Sequence, residues 1–260
     1  MASQHQDNLK ITKDFLWPEE DLAPAHEELN EPVIDLESYF GGGDEAETAC
    51  QLVREACLSH GLFQVVNHGV DLDLIREARP CALAFFKLPV AEKFKAQKRR
   101  GSLYGYSSAH AERFTSLLPW KETLTLGFRE RCTDLAIVDF LTSSFGPEYE
   151  HAGLVYQKYC EAMTKLSMEI IEMLGRSLGI DPSYYKDYFD DGFSTLRFNF
   201  YPRCEEPDQT LGTGPHCDPN SITILHQDDL VQGLHVFVDN KWKFVRPNSD
   251  ALVIGIGDTF

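Results

Sequence analysis

No Cys-x2-Cys pair occurs in these 260 residues, although seven cysteines are scattered at 50, 57, 81, 132, 160, 204 and 217. An odd, unclustered set excludes a zinc-ribbon spacing and offers no disulfide framework, so the thiols read as free in a reducing compartment. Positive charge is scarce as well. Lys and Arg number 24 against 41 Asp and Glu, a formal net charge of −17. Long-range repulsion at that balance opposes nucleic acid and anionic membrane surfaces as partners. Long apolar runs are missing too: the longest, 251–256, is far too short to span a bilayer. The first thirty residues hold no apolar stretch and carry Asp7, Asp14, Glu19, Glu20 and Asp21, which argues against a secretory signal or a transit peptide. A cytoplasmic protein is expected.

What is present suits a packed core, with 43% hydrophobic and 12% aromatic residues. Residues 1–30 are polar and acidic and read as a loose arm. Residues 32–36 alternate like a short strand. Ala49, Leu52, Val53, Ala56 and Cys57 recur at helical spacing, which predicts a helix over 44–59 with Asp44 as N-cap and Gly61 as stop. A strand and turn follow over 61–70, where His68, between Asn67 and Gly69, reads as structural. Helices are expected over 71–87 and 90–97, broken by Pro89. Lys93, Lys95, Lys98, Arg99 and Arg100 read as a solvated basic face. An irregular stretch from Tyr104 leads to an amphipathic strand over 123–126. A long helix over 151–178 carries one apolar face from Val155 to Leu178, closed by Gly179, and a short helix follows to about 189. From Phe193 the period becomes two, with Leu196, Phe198 and Phe200 on one face and Arg197, Asn199 and Tyr201 on the other. Short strands are expected over 221–226, 233–238, 241–245 and 251–256, with Asp239-Asn240 as a hairpin turn. The fold class is α+β, with an antiparallel sandwich or barrel in the second half.

The chemistry concentrates in the run Leu211-Gly212-Thr213-Gly214-Pro215-His216-Cys217-Asp218-Pro219. Extended backbone would turn His216 and Asp218 to one side and Cys217 to the other. An imidazole and a carboxylate so placed can take two adjacent positions on a divalent metal, as in the two-His-one-carboxylate triad of non-haem Fe(II) oxygenases. Spacing alone is weak, because five His-x-acid pairs occur (His5/Asp7, His26/Glu28, His110/Glu112, His216/Asp218, His226/Asp228) and composition supplies one or two by chance.

Context selects His216/Asp218. Asn199-Phe200-Tyr201-Pro202, the run 211–228, Gly233-Leu234 with 236–240, and Ile256-Gly257-Asp258-Thr259-Phe260 together resemble the plant Fe(II)- and 2-oxoglutarate-dependent dioxygenases. The resemblance implies a double-stranded β-helix (jelly-roll) core, incomplete at its C-terminal end, flanked by an N-terminal helix and strand region. It divides the chain into a 1–30 arm, a 31–145 N-terminal region, and a 146–260 long helix with partial jelly roll. It makes His216 and Asp218 iron ligands and sets Tyr201 and Asn199 beside 2-oxoglutarate. The cofactors implied are Fe(II) and 2-oxoglutarate, with ascorbate supportive.

The block Leu118-Pro119-Trp120-Lys121-Glu122-Thr123-Leu124 resembles the one marking gibberellin 20-oxidases within that family. It implies a gibberellin substrate oxidised at C-20 with O2, in a monomer. Trp120 would give an apolar wall and Lys121 a carboxylate partner, or both serve as scaffold. The resemblance also implies a third ligand, a His, and an Arg-x-Ser pair beyond Phe260. Without them the 260 residues are expected to be inactive, which keeps open a non-enzymatic relative or a sibling dioxygenase acting on another plant metabolite. Gly255 stands where the family usually has Asn.

Overall fold

The buried apolar side chains fall into three clusters, and each element's place follows from the cluster its apolar face serves. A computed structural model describes residues 11–22, 24–102, 104–111, 116–129, 135–181, 184–185, 188–189, 192–228 and 230–260. In chain order the elements are strands β1 (Glu27–Glu28) and β2 (Val33–Asp35), helices α1 (Leu36–Gly41) and α2 (Gly43–Ser59), and strand β3 (Leu62–Val66). Next come helices α3 (Leu72–Phe86) and α4 (Val90–Lys93), strands β4 (Gly105–Ser108) and β5 (Glu122–Arg129), and helices α5 (Ala136–Phe145) and α6 (Glu150–Ser177). Strands β6 (Phe193–Phe200), β7 (Ile222–Leu225), β8 (His235–Val238), β9 (Lys241–Phe244) and β10 (Leu252–Ile256) complete the order.

The strands form three sheets, ordered β2-β3-β10-β7, β1-β9-β8 and β4-β5-β6. The β10 pairs with β3 and β7 are antiparallel, as are β4–β5, β5–β6 and β8–β9. In the first sheet, alternate residues serve opposite faces. Ile34, Phe63, Val65, Leu252 and Ile254 pack on α2 and on the second half of α6 through Leu166, Ile170, Met173 and Leu174. On the other face Leu62 and Val253 meet Leu29, Val245 and the half-buried Val236 and Val238 of β8. Two sheets facing each other across that layer make the jelly-roll portion expected from sequence. The first half of α6 turns elsewhere: Val155, Tyr156 and Cys160 join α3 and α5 under the apolar face of β4-β5-β6. One long helix thus supports two of the three sheets.

Several expectations hold in detail. The N–H groups of His60 and Gly61 both reach Ala56 O, with Gly61 at φ 71°, so α2 stops at the glycine. Asp239 and Asn240 both adopt positive φ, as a tight hairpin turn requires. His68 is buried, and its Nδ1 accepts from the Val70 N–H at 3.2 Å, a structural role.

Others are corrected. Asp44 does not cap α2. The helix starts at Gly43 behind Gly42, and Asp44 sits in the first turn, facing the positive end of the helix dipole. Lys93 is not on a solvated face but 3% exposed, because α4 turns it inward to Glu122. Tyr104 does not open a purely irregular stretch, since β4 forms there. Strand β5 is buried on both faces from Glu122 to Phe128, and α3, α5 and α6 cover the face that carries Leu124, Leu126 and Phe128. Leu178 falls outside the α6 core stripe and is exposed.

From residue 11 onward the N-terminal arm is docked rather than loose. Strand β1 pairs in parallel with β9, Glu27 and Glu28 meet Lys241 and Arg246, and Leu29 is buried. A few apolar anchors in a polar stretch suffice to fix it. The short helix expected to about 189 lies partly outside the described residues, and Cys132 lies outside them. The other six cysteines are free thiols. Among the described residues no helix is long and apolar enough to cross a membrane.

Candidate metal centre

Strands β5 and β6 set out one side of the site. Their register pairs Thr123 with Asn199 and Thr125 with Arg197, so Arg197, Asn199 and Tyr201 leave β6 on the face opposite Leu196, Phe198 and Phe200. Those three apolar side chains pack on the helices, and the polar ones are exposed on the other side.

The loop between β6 and β7 carries His216 and Asp218. Its first part is held at several points. Trp120 N–H donates to Leu211 O at 2.8 Å, and Lys121 Nζ donates to Thr213 Oγ1 at 2.9 Å. Gly212 lies against the Tyr201 ring, where a Cβ would come within 2.7 Å of Cδ1. Its last part is pinned by the Ile256-Gly257-Asp258 motif. Gly257 N–H donates to Ser221 O and Asp258 N–H to Asp218 O, both at 2.9 Å. A side chain at 257 would run into the backbone of Asn220, which is why that position is glycine.

Between these anchors His216 and Asp218 turn to the same side, with Nε2 and Oδ1 3.4 Å apart. The backbone there is irregular coil rather than ladder strand. His216 Nδ1 lies 2.9 Å from Gly214 O; a carbonyl only accepts, so Nδ1 carries a proton and directs Nε2 at the carboxylate. Asp218 Oδ2 accepts from Thr223 Oγ1 at 2.5 Å, leaving Oδ1 for the imidazole. An unprotonated Nε2 and a carboxylate oxygen facing each other call for a cation between them. The bond to Asp218 raises the His216 pKa, and the bond to His216 holds Asp218 down at about 2. The donor set fits two positions on ferrous iron, with the tautomer and the carboxylate rotamer already fixed. Among the described residues no group of three His, Cys, Asp or Glu side chains converges.

The remaining residues singled out by sequence separate into two groups. Tyr201 OH and Lys121 Nζ meet at Thr213 Oγ1, at 3.4 and 2.9 Å. Lys121 is pushed down to about 8, first by burial and then by Arg197, while Asp218 acts in the opposite sense. Asn199 stands exposed on β6 opposite Thr123. Trp120 is 5% exposed, edge-on to Phe15 at 5.1 Å, with Nε1 donating to Pro202 O at 3.0 Å. Its indole thus packs against the N-terminal segment. Sequence reasoning missed Thr223, Gly214 and Arg197. Thr223 and Gly214 lie within seven residues of the pair and were legible as polar or small neighbours. Arg197 shares the alternating face with Asn199 and Tyr201.

Residues 192–260 match the family model described as the 2OG-Fe(II) oxygenase superfamily, and 32–138 match that of the non-haem dioxygenase in morphine synthesis N-terminal region. The chain belongs to the 2OG-Fe(II) oxygenase superfamily. It is 50% identical over 253 residues to gibberellin 20 oxidase 2 of Oryza sativa subsp. indica, covering 96% of this chain and 65% of that protein. It is 47% identical over 254 residues to gibberellin 20 oxidase 1-B of Triticum aestivum, covering 96% and 69%. The chain thus spans about two thirds of the length of the curated relatives it matches. Among solved structures it is similar to JOX2 in complex with 2OG, Fe and JA, with a TM-score of 0.81 at 31% identity, covering 97% of this chain and 71% of that one.

Proposed function

We propose that this chain takes part in Fe(II)- and 2-oxoglutarate-dependent oxidation of a gibberellin precursor at C-20. The observation that carries the iron chemistry is the His216–Asp218 pair, oriented by Gly214 O and Thr223 with Nε2 and Oδ1 3.4 Å apart. The basis for the substrate is the likeness to gibberellin 20 oxidases across 96% of the chain.

His216 and Asp218 would hold the iron, which with 2-oxoglutarate and O2 supplies oxidation of an unactivated carbon coupled to release of succinate and CO2. The protein's part is to bind, orient and dry. Asp218 enters as the anion, and Thr223 keeps its second oxygen occupied. Tyr201 is assigned to donate to a 2-oxoglutarate carboxylate, with Asn199 beside it on the same face. Lys121, on the neighbouring strand and joined to Tyr201 through Thr213, is the cation for a substrate carboxylate; Trp120 stiffens the wall behind it.

The test mixes the full chain, Fe(II) and 2-oxoglutarate without air and follows the visible charge-transfer absorption of the chelate. Asp218→Ala should abolish the band and Thr223→Val weaken it by about tenfold in metal affinity, as outer-shell partners do. Succinate release with candidate gibberellins then addresses the substrate. An absorption that survives Asp218→Ala would sink the assignment.

A further inference from the structure

From residues 14, 15 and 17, which lie outside both family-model matches, we infer that the N-terminal segment is part of the metal centre, with Trp17 as a positioning residue for His216 acting through Gly214. The inference rests on the metal-centre reading of the His216–Asp218 pair and extends it to an element 200 residues away in sequence.

Three contacts lock the segment in place. Trp17 N–H donates to Gln209 O at 3.0 Å, Leu118 N–H donates to Asp14 O at 2.8 Å, and Trp17 Nε1 donates to Leu118 O at 3.3 Å. Phe15 adds an edge-on contact with Trp120. The Trp17 indole therefore has little freedom, and it lies directly against Gly214. A Cβ at 214 would sit 2.8 Å from Trp17 Cζ3 and closer still to Cη2. Gly214 is not at positive φ, so the glycine is required by close approach and not by backbone conformation.

Gly214 is also the residue whose carbonyl fixes the His216 tautomer. The run 209–214 is gripped on one side by Lys121 and the Trp120 N–H, and on the other by Trp17. His216 itself is more than half exposed, so no packing around its ring does this work. The orientation of the ligand is set from behind, through one carbonyl, and Trp17 packs against the Cα of the residue that bears it. An indole is suited to it: large, flat, and anchored at its polar edge.

The test needs no bound metal for its first readout. Long-range proton–nitrogen NMR of the metal-free chain, at a pH where the ring is neutral, reports which nitrogen of His216 carries the proton. Read in an Asp218→Ala background, which removes the competing acceptor at Nε2, the ring should be held with the proton on Nδ1 by Gly214 O. Trp17→Ala should give the mixture of tautomers of a free imidazole, and Trp17→Phe, which keeps a ring over Gly214, should restore the single form. Gly214→Ala should disturb the ring in the wild-type background and do little more in Trp17→Ala, because the clash needs the indole. Circular dichroism checks that each variant is folded.

The second readout is affinity for Co(II), an air-stable stand-in for Fe(II), by titration calorimetry. Trp17→Ala should lower it by roughly tenfold to a hundredfold, the range for partners behind a ligand. Unchanged tautomer and affinity in folded Trp17→Ala, or in Gly214→Ala, would overturn the proposal. A wild-type chain with an ordered ring, disordered by Trp17→Ala, that takes up no Co(II) would support the contact and count instead against the metal-centre reading.

Discussion

Lys93 illustrates what a side chain's own neighbours in sequence can and cannot disclose. It sits in a run of cations, yet its ammonium lies 2.5 Å from Glu122 Oε2 and 3.2 Å from Phe86 O, with both ionic side chains almost fully enclosed. Tyr106 OH donates to the same carboxylate oxygen at 2.7 Å. Burial, and after it the bond to Glu122, push the phenol far above its ordinary range, so Tyr106 remains a donor. A buried charge left alone costs more than the pair contributes. Lys93→Met should therefore destabilise the fold by about 3 kcal/mol, read from the midpoint of urea unfolding. Adding Glu122→Leu should recover only part of that loss: an apolar pair of similar volume is often neutral, but the buried Tyr106 OH loses its acceptor. If the double variant is less stable than the single one, the ion pair is contributing net stability. Nothing in the sequence near Lys93 announces Glu122, which stands 29 residues on. The His216–Asp218 pair was legible because its geometry is local: two residues apart in one loop, with Gly214 and Thr223 close by. Trp17 was not, since only the folded chain brings it to Gly214.

At the level of elements, α6 was legible in full from its periodicity, to within one residue at each end. What periodicity could not give was the division of its apolar stripe between two clusters, nor the burial of β5 on both faces. The division follows from the two different sheets that α6 meets. The crossing of α5 and α6 shows the limit of propensity most clearly. Gly153 is an interior helical glycine, and alanine there would add about 1 kcal/mol by helix propensity alone. The position is buried, however, and a Cβ would lie 2.8 Å from Val138 Cα on α5, a backbone atom that cannot swing aside. Overpacking of that kind costs typically 1–3 kcal/mol. Gly153→Ala should thus lower the melting temperature, with the helical content of the folded state unchanged by circular dichroism. A rise in melting temperature would mean that α5 can slide away at little cost.

For the whole molecule the question is whether the N-terminal region and the jelly-roll portion stand alone. Sequence divides them near residue 145, and the sheets cross that division. In β2-β3-β10-β7, β3 from the first part lies between β2 and β10, pairing Leu252 with Val65 and Ile254 with Phe63. Strand β1 pairs with β9 in the same way, and β5 with β6 over eight residue pairs. All three sheets therefore take strands from both parts, and α6 closes the core beneath two of them. Cutting at 145 would leave β10 and β6 with open edges and strip the helices of their partner faces. The full chain should unfold in one transition, with backbone circular dichroism and tryptophan fluorescence coincident, since Trp17 and Trp120 lie beside the site and Trp242 lies on β9. The fragment 146–260 expressed alone should show no cooperative melt, and mixing it with 1–145 should restore one. A sharp transition in the isolated fragment would show that the shared sheets are not needed for folding, and that the division read from sequence is also a physical one.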